Sequence, residues 1–521
     1  MNRTITWRSL LFLLALGPLA VAATEAKTVT IQVTLDRGPD FGQAFGSLFE
    51  VASDDGQLMI GAGFQNAYNT RYRADRHAVQ FYIRPTSGER TYQMAELPRP
   101  SKTLVGSYLF GRDGEVYSTY GGLKKWQPKS SDWAAAESLG GTHETMRLGG
   151  GLLTFGASRV RYNGRSILEP PKQGSYQLFF YANGHLCFYH VHRNGKPYRL
   201  FKNEADGFSL LFACPWSPDQ PRVDLAKAKT LRLPVVGETT FAWGQLGGQV
   251  VTGSNIGGFY VFENGRWRMI LEPNINVSYQ LYSSLAFHDR LLMGQYPTGR
   301  VFSYDGKKIT DLKGWPPVPK GVSGSSREAQ TTTIYGGDLF VGVWPWAELW
   351  RYNPDQRRWH FAQRMFKHPA PSANITHPYD LENANGTPRN RWGQRVTSLV
   401  PSGPDLFIAT SAKAPYQWEP KKFPFLAPDK WKSYGKVYRM SMPGHLAAPT
   451  IWTDGSTTME FELQPGQMSI RQDGKLLATT KLTGPLSRQL AGVKSLKNIQ
   501  WSKGIYGPFT GRSLKGTTQT R

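Results

Sequence analysis

Short apolar runs recur along the chain, each led by Gly, Asp or a charged residue and followed by a second run rich in Tyr, Phe and Trp. The leading runs fall at residues 56–61, 114–117, 151–156, 184–188, 248–253, 290–294, 338–342 and 405–409. The aromatic followers include 79–82, 159–162, 259–262, 301–304, 349–352 and 437–440. Each run has strand length, and Asp-Gly, Asn-Gly, Gly-Gly and Asn-Pro pairs of hairpin type lie between them. Self-similarity at roughly 40–50 residues with this content predicts an all-β chain, a β-propeller of seven or eight four-stranded blades. Around residue 116 the repeat is abbreviated, so the blade number stays open between the two. Residues 458–482 alternate well enough to predict further strands, a small C-terminal β extension.

Placing the apolar run second and the aromatic run third in each blade gives a consistent register. Residues 279–312 show it best: an opening strand, the turn His288-Asp289, a second strand, a loop to Gly299, a third strand, the turn Asp305-Gly306 and a fourth. The register sorts loops onto two faces. Hairpin turns share one face with His288, while the second-to-third loops and the blade-to-blade connections share the other. Long insertions at 203–231, 366–395 and 411–435 exceed ordinary loop lengths, which marks functional or lid-like segments.

The blade motif, such as Leu291-Leu292-Met293-Gly294 followed by Arg300-Val301-Phe302-Ser303-Tyr304-Asp305-Gly306, resembles the repeat of Kelch-like and non-viral sialidase-like propellers. The resemblance spans residues 45–440. It implies the propeller architecture and no activity, because propellers carry lectins, hydrolases, lyases and scaffolds alike. Neither the Asp-box of sialidases nor the Trp-Asp signature of another propeller class is evident.

Composition changes where such a disc would work. Residues 1–22 carry Arg3 and Arg8, an apolar run and Ala20-Val21-Ala22, the pattern of a secretory signal peptide. No later segment approaches the ~20 continuous apolar residues of a membrane span. The expected organisation is therefore a signal peptide at 1–22, a propeller at 40–445, and a C-terminal β extension with a basic tail at 446–521, in a secreted or periplasmic protein. A net charge of +24 attracts polyanions. After export these are acidic polysaccharides and other envelope polyanions rather than nucleic acid. Nine Lys and Arg and no Asp or Glu fall between 474 and 521, so part of the excess belongs to the tail. The two cysteines, Cys187 and Cys214, are open to a disulfide or to two separate buried thiols, and oligomeric state is not legible.

The loop face gathers Arg, Tyr, His and Trp, a mixture suited to an anionic sugar chain. Arg forks a carboxylate and an aromatic ring underlies a pyranose. The candidate catalytic residues are His377, Tyr296, Arg327, Arg395 and His77. Arg76, Tyr72, Arg300, Trp346, Trp392 and Gln394 are the candidate substrate contacts. In β-elimination at a uronate, Arg neutralises the carboxylate while His or Tyr moves the proton. Glycoside hydrolysis needs two facing carboxylates, and this face is poor in them, so a polysaccharide lyase is favoured over a hydrolase. A propeller that binds glycans or envelope proteins without chemistry is the alternative. His190 and His192 share one side of a strand, as two metal ligands would, but a third ligand at fixed spacing is not legible. No cofactor is called, a divalent metal remaining open, and phosphate loops, nucleophile elbows and Cys-x-x-Cys pairs do not occur.

Overall fold

The structure, a computed structural model, describes residues 28–69, 72–137, 144–193, 201–202, 207–380, 391–413, 417–421 and 424–520. The expected signal peptide lies outside the described residues. The chain is a β-propeller. Its repeating unit is an antiparallel meander of four strands whose first strand is innermost. The fifth meander runs through Gln280–Phe287, Arg290–Tyr296, Val301–Tyr304 and Ile309–Leu312, and the sixth through Glu328–Tyr335, Asp338–Trp344, Glu348–Asn353 and Arg358–Arg364. In both the apolar run is second and the aromatic run third, as the sequence pattern requires. The first four meanders begin at Tyr108, Thr145, Ser175 and Thr240.

The seventh meander joins the ends of this array. Its first three strands are Arg395–Ser402, Asp405–Ser411 and Val437–Ser441, but the fourth is Gln93–Leu97, which pairs from Val437↔Leu97 to Ser441↔Gln93. That strand leads directly into the first meander, so the array cannot open without breaking a strand pair. An exposed sheet edge is removed at the same stroke.

The run at 56–61 with its follower at 79–82 is not a blade, which corrects its reading as the first repeat. Leu58–Phe64 and Ala78–Pro85 do pair, but within a five-stranded sheet completed by Ser47–Ala52, His445–Pro449 and Gln500–Trp501. A second five-stranded sheet faces it. Val29–Asp36 lies there between Ser456–Gln464 and Ser513–Thr520, followed outward by Gln467–Gln472 and Lys475–Lys481. Val29, Ile31, Val33 and Leu35 alternate inward from the second sheet, the period of a strand with one buried face. They meet Phe49, Ile60, Phe81 and Phe461 in one core, closed at the side by Leu486 and Leu490 of the helix Gly484–Ala491. The expected C-terminal strands thus exist, and they are shared with the N-terminal end of the chain.

Between Leu58–Phe64 and Ala78–Pro85 of the first five-stranded sheet the chain enters the propeller axis. Ala67–Asn69 pairs with the inner edge of the fifth meander, Ser283 opposite Asn69 and Leu285 opposite Ala67. Gln65 donates to the Ile334 carbonyl at 2.9 Å, and Asn69 accepts from the Thr332 amide at 2.8 Å. Tyr72 donates to the Leu399 carbonyl at 2.7 Å and accepts from its amide at 3.0 Å. Arg73 reaches the Phe179 carbonyl and lies 4.4 Å over the Phe155 ring. The inner strands of a propeller present unpaired backbone groups to the axis, and this segment satisfies several of them.

Cys187 and Cys214 are both buried free thiols. Leu186 is the cross-strand partner of Cys214, so Cys187 points to the opposite face of the sheet. The two join different cores.

Candidate functional site

One device repeats on the loop face. In the fourth, fifth and sixth meanders the second-to-third loop forms a parallel bridge to the segment that enters the next meander: Ile256 to Tyr279, Thr298 to Arg327, and Trp346 to Gln394. The amide of Arg327 donates to the Pro297 carbonyl at 2.9 Å, and that of Gln394 to Pro345 at 2.7 Å. Glu328 and Arg395, one residue further, are therefore equivalent positions of adjacent blades. Both stand at the axial end of an innermost strand, and they form an ion pair at 3.4 Å with each member almost fully buried.

Trp344, at the end of the second strand of the sixth meander, is the hub. His377 packs on its indole with ring centroids 4.7 Å apart, and Tyr296 lies at 6.2 Å. The Lys413 ammonium sits 4.6 Å above the same ring and the Arg395 guanidinium 6.0 Å from it. A cation over an indole face is held electrostatically by the ring quadrupole. Lys413 is half-buried, and its ammonium forms no ion pair among the described residues. Burial lowers its pKa, with Glu328 opposing and Arg395 adding. The His377 imidazole is likewise lowered by burial against the opposing charge of Asp380, so it is neutral near pH 7. Its Nδ1, the Nε of Arg395 and one oxygen of Glu328 are buried without hydrogen-bond partners among the described residues. The cluster carries surplus positive charge and unused hydrogen-bonding capacity.

The structure brings three of the five catalytic candidates to this hub, His377, Tyr296 and Arg395. The other two are engaged elsewhere. Arg327 is buried with its guanidinium fork on Glu348, and it also donates to the Pro317 carbonyl at 3.1 Å. Trp350 donates to the same carboxylate at 2.7 Å. His77 lies in a closed cluster remote in the fold, where Asp40 accepts from Arg76 at 2.6 Å, from His77 at 2.8 Å and from the Gly149 amide at 2.7 Å. Although burial opposes it, Arg76 and His77 hold the Asp40 carboxyl below the usual range. The contact invites reading His77 as a cation. Burial outweighs Asp40, however, and lowers His77 to about 4, because Arg76 already balances the carboxylate. The neutral ring stacks on Trp452 at 5.3 Å.

The substrate-contact candidates are mostly packed inside. Tyr72 is in the axial segment, and Arg76 is bound to Asp40. Trp346 is fully buried with Arg364 4.8 Å over its ring. Gln394 donates to the His368 carbonyl at 2.9 Å, and the carbonyl of buried Trp392 accepts from Tyr434. Arg300 reaches solvent but pairs with Asp311 at 2.8 Å. His190 bonds the Gln173 carbonyl at 2.7 Å and packs edge-on to Tyr176 and Phe208. No group of three or more His, Cys, Asp or Glu able to hold a metal occurs among the described residues. Lys413 and Trp344 lie on the expected face, but only the fold reveals that they meet. The signal available in the sequence was their position, each at or just past the end of a second strand.

The fold is that of a propeller, and the cluster around Trp344 is a charged, aromatic candidate site on its loop face. No family model matches the chain, and no curated protein does. Similar solved structures include the WD40 β-propeller domain of Doa1, at 12% identity over 68% of this chain and 97% of that one, with a TM-score of 0.25. BamB from Moraxella catarrhalis shares 12% identity over 65% and 85% of the two chains, with a TM-score of 0.27. The extracellular domain of a one-component system from B. thetaiotaomicron shares 9% over 82% and 61%, with a TM-score of 0.23. At such scores these likenesses add nothing to the argument from strand order.

Proposed function

We propose that this chain is an exported propeller that holds an acidic polysaccharide at the axial end around Trp344. The observation that carries the reading is the Lys413 ammonium, held over the Trp344 ring without a carboxylate partner among the described residues and next to Arg395. A carboxylated sugar supplies the missing charge, and its ring finds the half-buried Tyr296 beside the buried Trp344. The seven meanders are read as seven blades of one closed ring spanning 93–441. The strands of 29–85 and 445–520 form a second β module, and residues 1–22 are the export signal.

The residues at hand suit β-elimination. Lys413 and Arg395 neutralise the uronate carboxylate, which acidifies the adjacent C5–H. Neutral His377 accepts that proton, the C4–O bond breaks as the C4–C5 double bond forms, and the Tyr296 hydroxyl protonates the departing oxygen. One observation favours binding without cleavage: Arg395 already shares its charge with Glu328. No helix among the described residues is long and apolar enough to cross a membrane.

Uronate-containing polymers incubated with the protein separate the readings. Rising ultraviolet absorbance from an unsaturated product, lost in His377→Ala, supports cleavage. Retention of the polymer without that rise supports the binding role. Neither retention nor absorbance change on any acidic polymer refutes the assignment.

A further inference from the structure

The seam between the fourth and fifth meanders holds a cavity of about 320 Å³ that shares no residue with the Trp344 cluster. Phe259, Leu281 and Met293 form its walls, and Leu271 and Val277 its lip. That size and apolar character suit a small organic molecule. The lip is apolar where a surface is ordinarily polar. Met269, Leu271, Ile275 and Val277 are 40%, 46%, 45% and 41% exposed, four of the large apolar side chains left in solvent and all within one short stretch.

The charge of the cavity is opposite to that of the chain. In a protein of net charge +24, no Lys or Arg lines it and the one lining carboxylate is Glu272. Nearby Arg300 is already paired with Asp311. A second carboxyl lies behind the wall. Glu238 is fully buried, and a Cβ at Gly258 would fall 2.3 Å from its Oε1. That oxygen accepts from the Tyr260 hydroxyl at 2.7 Å. Gly258 is itself a lining residue, so this carboxyl stands one backbone thickness from the cavity.

We propose that this cavity binds a compact apolar amine, with its aryl or alkyl body between Phe259, Leu281 and Met293 and its ammonium at the Glu272 end. The site is independent of the polysaccharide reading and takes the opposite charge. Three isosteres test it by calorimetric titration of the full chain: 2-phenylethylamine, 2-phenylethanol and 3-phenylpropionate. The amine is expected to bind about 10-fold tighter than the alcohol, the scale of one charge contact in a half-exposed site, and the acid not at all. Glu272→Gln should bring the amine to the level of the alcohol. Val277→Lys, an exposed change at the lip, should abolish amine binding while leaving the unfolding midpoint and polysaccharide retention as they were. Equal binding of amine and alcohol, preference for the acid, or no binding of the amine overturns the proposal. Since polysaccharide retention is read separately, its failure does not touch this outcome.

Discussion

Two clusters in this molecule are built from the same residue types and behave oppositely. At Asp40, one carboxylate meets Arg76, the neutral His77 and two backbone amides, those of Gly42 and Gly149. At Trp344, Arg395 alone pairs with Glu328 among the described residues, the Lys413 ammonium has no ion-pair partner among them, and several buried polar atoms likewise lack a hydrogen-bond partner there. In the first, charge is balanced and both carboxylate oxygens are used, with the His77 Nδ1 left over, and the contacts join elements: Asp40 lies between the strands Val29–Asp36 and Ser47–Ala52, Arg76 and His77 follow the axial segment, and Gly149 belongs to a turn of the second meander. The second leaves charge over. Charge balance, rather than the presence of Arg and His, is what separates a structural cluster from one able to take an anionic ligand.

The sharpest way to break that contrast is to remove Asp40. In Asp40→Ala the buried Arg76 guanidinium loses its counter-charge and two amides lose their acceptor. The expected cost is about 3–5 kcal/mol, the range for breaking a buried ion pair from one side. Denaturant unfolding measures it. A loss under about 1 kcal/mol would mean that water reaches the cluster and that its closure has been misjudged.

Acid should attack the same cluster more gently. His77 is lowered from 6.5 to about 4 in the folded protein, chiefly by burial, and burial lowers buried His445 to about 3. Between these values and 6.5 the unfolded chain binds protons that the native chain refuses. Stability is therefore full above pH 6.5 and falls as the pH drops towards 4, by on the order of 3 kcal/mol for His77 alone. Glu238 acts in the opposite sense. Burial raises it from 4.5 to about 7, so its contribution is lost as the pH rises through that window. The His77 part is isolated by difference: His77→Gln should flatten the acid limb of the midpoint-versus-pH curve and leave the neutral limb unchanged. An unchanged acid limb would place a charged imidazole at Asp40.

Much of the ring was legible because strand length and alternation are local properties. Residues 290–304 and 338–352 fall in their expected second and third strands. The run at 56–61 misled because a β-hairpin carries the same pattern whether it joins a blade or another sheet. The outer strands of its sheet, His445–Pro449 against Ala78–Pro85 and Gln500–Trp501 against Ser47–Ala52, lie hundreds of residues away. Asp40, 36 residues before Arg76, is likewise hidden from a local pattern. Arg327 looked available because its position on the loop face is right, yet Glu348, 21 residues on, occupies it. The loop positions of Trp346 and Trp392 suggest exposed platforms, but both are fully buried. Pairing and saturation are three-dimensional facts, and periodicity does not encode them.

The smallest effect on stability should accompany the clearest effect on binding. Lys413→Met keeps the length of the side chain over Trp344 and removes only the charge. Because the ammonium has no ion-pair partner to orphan among the described residues, the change should shift unfolding by less than about 0.5 kcal/mol. Retention of an acidic polysaccharide, by contrast, should weaken about 10-fold, the loss of one charge-assisted contact. In Arg327→Met the two effects exchange places, because Glu348 is left buried and alone: stability falls by several kcal/mol, about 3–5, while the Trp344 cluster keeps both of its cations. If Lys413→Met binds as before and Arg327→Met alone releases the polymer, the ligand site is centred on the fifth-to-sixth seam instead of Trp344, and Glu348 is a partner that the polymer displaces.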